Sequence, residues 1–130
     1  MWTFPHYTPG KLPDWQALER RFSWFADMKN VPQDPEWHAE GDVFVHTKMV
    51  CEALLQLPEF QALSEQEQHI LFAAAMLHDV EKHSTTKREI QDGKERIVSP
   101  NHAKKGEYTA RALLYTELAA PFAVREAIAK

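Results

Sequence analysis

Apolar residues in this chain recur at helical spacing in several stretches, and proline or glycine separates one stretch from the next. In "WQALERRFSWFADMKN", Trp15, Leu18, Phe22, Phe25 and Met28 form one apolar face, which predicts an amphipathic helix with Asp14 as its N-cap. The aromatic stripe reads as core packing in preference to a platform for stacked bases, because aromatic side chains tend to be buried. "VPQDPEWHAEGD" reads as a proline-broken loop, and Asp42 is placed to cap "VFVHTKMVCEALLQL", a helix that Pro58 stops. Ser64 and Glu67 have capping-box spacing before the helix that ends in "FAAAMLHDVEKH". Asp92-Gly93 lies between two short segments with β-branched ends, the signal of a small hairpin. Ser99-Pro100 then serves as N-cap and first position of "NHAKKGEYTARALLYTEL", and "PFAVREAIAK" reads as a final helix. Residues 1–13 carry Pro5, Pro9, Gly10 and Pro13 and read as an irregular arm. The pattern predicts an all-α helical bundle with a small β-hairpin insertion.

Composition narrows this further. A chain of 130 residues is long enough for one core, and 44% hydrophobic with 26% charged residues is an ordinary globular balance. The formal charge of -4 speaks against capture of nucleic acid by overall charge, while leaving room for a local basic groove. The longest apolar run is far shorter than the roughly 18 residues of a membrane span, and the N-terminus lacks a basic segment followed by an apolar one. A cytoplasmic protein with no membrane partner is expected. Cys51 is the sole cysteine, which excludes an intrachain disulfide and a paired-cysteine metal site. Any metal must therefore be held by histidine and carboxylate.

The histidines divide by context. His6 and His38 fall in predicted loops, and His69 follows Glu65, Gln66, Glu67 and Gln68, so all three read as solvated; His83 is ambiguous. His46 is different, because Val43, Phe44, Val50 and Leu54 surround it on a helix and a polar ring there needs a partner. A backbone carbonyl would serve; so would His78-Asp79, at the end of the most apolar helix. Asp79 has the wrong sign for the negative end of a helix dipole, which favours a cation beside it. Imidazole and carboxylate together suit a divalent transition metal such as Zn, Fe, Ni or Mn. His102 opens the next long helix, where first-turn N–H groups favour an anion, and Lys104 and Lys105 follow, so a phosphate is a reasonable occupant. Lys87, Arg88 and Arg111 are further candidates for reading phosphate or base.

Three segments in this order, "DVFVHT" with His46, "AMLHDVEK" with His78, Asp79 and Lys82, and "SPNHAKKGE" with His102, resemble the HD superfamily of metal-dependent phosphohydrolases. The run "PEWHAEGDVFVHTKMV" is especially similar to HD domains attached to tRNA nucleotidyltransferases and to those joined to bacterial polynucleotide kinases in end-healing enzymes. The resemblance covers residues 30–130, leaving 1–29 as an N-terminal arm and first helix. It implies an HD-domain bundle with His46, His78 and Asp79 as ligands of one divalent ion (Mn, Fe, Ni, Co or Zn). It further implies a second ion or a phosphate at His102, and Lys82 as a point charge on the scissile phosphate.

By the same resemblance, Asp79, Lys82 and His102 are catalytic, with Lys82 joined by Lys104, Lys105 and Arg111 as the candidate phosphate contacts. The implied activity is that of a phosphomonoesterase or 2′,3′-cyclic phosphodiesterase on nucleotides or RNA ends, with a covalently linked or associated kinase or nucleotidyltransferase domain as a partner. The family pattern ends with a further Asp on a later helix. Here only Glu107, Glu117 and Glu126 follow His102, so an HD domain incomplete at its C-terminus is expected, and a non-catalytic module binding nucleic acid or a partner domain is the alternative.

Overall fold

The protein is described by a computed structural model covering residues 1–32, 41–82, 87–91, 93–98 and 102–129; at 87–91, 94–96, 98, 102 and 103 it describes the backbone alone. It is predominantly helical. The expected loop around Pro35 and His38, the N-cap at Ser99, and His83 lie outside the described residues.

Helix α1 (Trp15–Arg21) begins where the Asp14 side chain accepts from the Ala17 N–H. The single helix expected over residues 15–30 is instead broken at Phe22, whose φ of -115° and ψ of 110° are extended, before the short α2 (Ser23–Ala26). The reason lies in what must be buried. Phe22 and Trp24 would point roughly 200° apart on a continuous helix, whereas the break lets Phe22, Trp24 and Phe25 all enter the core.

Helix α3 (Val43–Gln56) starts at Asp42, whose two carboxylate oxygens accept from the Val45 and Asn30 N–H groups, each at 2.8 Å. Asn30 adopts φ 63°, a left-handed conformation that asparagine tolerates better than most residues. Leu57 is extended, so α3 stops, and Pro58 opens the short α4 (Pro58–Gln61). In α5 (Glu65–Leu77) the Ser64 hydroxyl accepts from the Glu67 N–H and donates to the Glu67 carboxylate. Strands β1 (Lys87–Gln91) and β2 (Lys94–Val98) pair antiparallel, Lys87 opposite Val98 and Gln91 opposite Lys94. Helices α6 (His102–Thr116) and α7 (Phe122–Ala129) follow and pack on each other.

Helix α5 is central, packing against α3 and α7 and burying Phe72, Ala73, Met76 and Leu77. The N-terminal arm is irregular, yet it belongs to this core. Phe4 is 1% exposed and meets Phe72 edge-on at 5.3 Å, while Tyr7 stacks on Phe72 at 4.2 Å. Trp2 exchanges two hydrogen bonds with the Gln66 side chain, and its indole N–H donates to the Leu118 carbonyl. Residues 1–29 thus pack into one core with residues from the rest of the chain. Among the described residues no helix is long and apolar enough to cross a membrane.

Candidate metal centre

His46 and His78-Asp79 come from different helices and meet. His46 sits one turn into α3, just past the cap made by Asp42, and its ring centre lies 5.9 Å from that of His78. One ligand atom from each of His46, His78 and Asp79 can be chosen so that all three lie within 4.8 Å of one another. Packing of α3 against α5 brings these side chains together, with Val43, Phe44, Cys51, Phe72, Met76 and Leu77 all buried in one core.

Hydrogen bonds orient the ligands. At His78, Nδ1–H donates to the Ala75 carbonyl at 2.6 Å, which directs Nε2 toward Asp79 Oδ2, 3.0 Å away. A metal-ligating histidine is commonly oriented this way, by a carbonyl on its other ring nitrogen. Burial pushes the His78 imidazole down, but the hydrogen bond and charge of Asp79, with the Ala75 carbonyl, outweigh it and raise its pKa above the ordinary value. Asp79 is 4% exposed, and Lys82 Nζ lies 3.4 Å from the same Oδ2.

These residues fit a divalent transition ion. Two imidazole nitrogens and one carboxylate oxygen are the donors such ions prefer. Bonds of about 2.1 Å at a tetrahedral ion place two ligands about 3.4 Å apart, so ligand atoms within 4.8 Å of one another would draw together on binding. Among the described residues three protein donors meet here, fewer than the four of a closed structural zinc site. Cys51 contributes nothing nucleophilic here, since burial, with help from Glu52, pushes its thiol up to about 12.

The other expected site residues separate. His102 begins α6, but its side chain lies outside the described residues. Lys104 is exposed and lines a cleft together with His78. Lys105 reaches Glu81 at 3.8 Å. Arg111 lies between Glu107, at 2.8 Å, and Glu126, at 2.9 and 3.1 Å, so two carboxylates occupy the guanidinium that sequence reasoning offered to a phosphate. His69, expected to be solvated, is 2% exposed and its Nδ1 accepts from the Phe4 N–H. The correction has a physical reason: His69 falls in register with Phe72, Ala73 and Met76, on the buried side of α5.

Two acidic residues were given no role by the sequence and take definite places in the fold. Glu81 is 8% exposed, takes a hydrogen bond from the Thr109 hydroxyl and ties the end of α5 to α6. Glu107 lines the cleft beside His78. Both lie in segments quoted above, Glu81 in "AMLHDVEK" and Glu107 in "SPNHAKKGE", and the fold sets the partners of each. The cleft measures about 690 Å³, with Leu71, Ala74, Leu77, Ala110 and Ile128 among its apolar walls. A second cavity of about 460 Å³, beside Leu12, Leu55 and Phe60, includes none of the candidate ligands.

No protein-family model matches the chain, and no curated protein or solved structure matches it at the significance required of a relative.

Proposed function

We propose that this chain is an HD-type metal-dependent phosphohydrolase, a phosphomonoesterase or 2′,3′-cyclic phosphodiesterase acting on nucleotides or RNA ends. The observation that carries the reading is the convergence of His46 with His78 and Asp79, from separate helices, within 4.8 Å. The order of these residues in the sequence, with Lys82 three positions after Asp79, supports the same reading.

In this mechanism the His46 and His78 imidazoles and the Asp79 carboxylate hold one ion of Mn, Fe, Ni, Co or Zn. When bound, such an ion supplies Lewis acidity, making water a competent nucleophile near neutral pH and drawing electron density from a phosphoryl group. Asp79 also orients the attacking water. Lys82, next to Asp79 Oδ2, adds positive charge for the phosphoryl oxygens. Lys104, on the rim of the cleft that His78 lines, attracts the anionic substrate. His102 serves a second ion or the phosphate. The proposed setting is the cytoplasm, with a kinase or nucleotidyltransferase domain linked or associated.

The test is hydrolysis of p-nitrophenyl phosphate and of a 2′,3′-cyclic nucleotide after loading with each of these metals. The proposal expects metal-dependent turnover that drops by at least about a hundredfold in His78→Ala and in Asp79→Ala. Undiminished turnover in a metal-stripped sample would falsify it.

A further inference from the structure

The cleft beside the candidate centre has a chemistry of its own. Apolar side chains from α5 and α6, Leu71, Ala74 and Ala110, line it, and only His78, Lys104 and Glu107 add charge or hydrogen-bonding capacity to its described walls. A bare phosphate needs neither an apolar wall nor a carboxylate, which would repel it. This surface therefore belongs to the rest of the substrate.

Glu107 is placed with some care. Arg111 Nη2 holds its Oε1 at 2.8 Å, and Arg111 is itself braced by Glu126 through two hydrogen bonds. That brace fixes the carboxylate at the cleft wall, with a side chain 40% exposed. A carboxylate so held is an acceptor and never a donor, so it selects ligands that donate. A charged acceptor also makes a stronger hydrogen bond than a neutral one. Lys104, on the same helix, supplies the opposite charge at the rim.

Resting on the phosphohydrolase reading, we propose that Glu107 is a specificity-determining residue: it accepts a hydrogen bond from a hydroxyl on the alcohol portion of the phosphate ester, whose ring lies against the Leu71, Ala74 and Ala110 wall. The preferred substrate is then a phosphate ester of a hydroxyl-bearing alcohol with an apolar ring face. Simple aryl phosphates lack the hydroxyl and take no benefit from Glu107.

The experiment is isothermal titration of the metal-free full chain, so that no turnover is involved, with adenosine 5′-monophosphate, its 2′,3′-dideoxy analogue and phenyl phosphate. Wild type is expected to bind the hydroxylated nucleotide about tenfold more tightly than the dideoxy one. Glu107→Leu should erase that preference and leave phenyl phosphate affinity unchanged. Glu107→Gln, which keeps the shape and a neutral acceptor, should retain an intermediate preference, and it decides the matter if the leucine variant fails to fold. Equal affinity for the two nucleotides in wild type, or an undiminished preference in both variants, overturns the proposal. Metal-dependent hydrolysis is scored separately. Hydrolysis without the hydroxyl preference sinks the role of Glu107 alone, whereas the preference without hydrolysis sinks the phosphohydrolase reading and leaves Glu107 as a ligand-selecting residue.

Discussion

The Phe4 backbone N–H donates to Nδ1 of His69 across 3.0 Å, between an arm with no regular structure and the buried side of α5. Around that bond, Phe4 and Tyr7 pack on Phe72, so the arm fills space that the helices leave open. Phe4→Ala should therefore destabilise the fold by about 3 to 5 kcal/mol, read as a shift in the urea midpoint at constant slope. A loss below about 1 kcal/mol would mean that the arm is peripheral.

The same bond makes a pH prediction. Burial lowers the His69 pKa below its ordinary value, although Glu65 partly opposes this, and Nδ1 can accept from Phe4 only while unprotonated. At high pH the ring is neutral whether folded or unfolded, and its titration adds no pH dependence. As pH falls through about 6.5, the unfolded chain takes up a proton that the folded chain resists, so stability declines until the folded pKa is also passed. The decline from about pH 6.5 downward should be steeper in wild type than in His69→Gln, measured by urea unfolding across the acidic range. Parallel profiles would remove His69 as the cause.

Asp42 caps α3 and holds Asn30 with its other oxygen, one turn before His46. Asp42→Ala should cost about 1 to 2 kcal/mol and weaken metal binding as well, because His46 depends on how the first turn of α3 is anchored. Titration of Mn or Zn into both proteins checks this. Unchanged metal affinity in a destabilised variant would separate the cap from the ligand.

Gly106 lies inside α6, where a Cβ added to the glycine would sit 3.7 Å from Val80 Cγ1, an ordinary contact distance. Glycine in a helix interior is unfavourable relative to alanine. Gly106→Ala should stabilise the chain by about 0.5 to 1 kcal/mol, raising the melting temperature. A lower melting temperature would mean that the methyl group is not accommodated beside Val80 at this distance.

Metal should stabilise the fold through the three ligands. With free ion at about a hundred times its dissociation constant, the gain is about 2.7 kcal/mol, seen as a rise in melting temperature and, by elemental analysis, as bound metal. His46→Ala and Asp79→Ala should lose both responses. A rise that survives in both variants would place the ion elsewhere.

How far the sequence could be read follows the range of the interactions. The caps at Asp14, Asp42 and Ser64 and the stop at Pro58 act within a few residues, and each stands where the pattern placed it. His46 and His78-Asp79 were legible because polar groups in apolar company require partners, and the fold supplies them to one another. The break at Phe22 was not legible, since the spacing of Leu18, Phe22 and Phe25 satisfies a continuous helix and only the burial of Trp24 argues against it. Prolines marked the arm as irregular but said nothing of whether Phe4 and Tyr7 were buried. Acidic and amide neighbours disguised His69. The pairing of Arg111 with Glu126 was hidden because that carboxylate reaches it from another helix.

The pair of bonds from Trp2 to Gln66 and the indole bond to Leu118 impose an order of events on synthesis. Trp2 is made before its partners, one of which lies 64 positions later and the other 116. These side chains are thus made well before their partners, and a nascent chain holds Trp2, Phe4 and Tyr7 without these contacts until Gln66, His69, Phe72 and Leu118 have emerged. Contacts so distant in sequence carry a large loop-closure cost before they are rewarded, so this latch slows folding relative to the local caps of the helices.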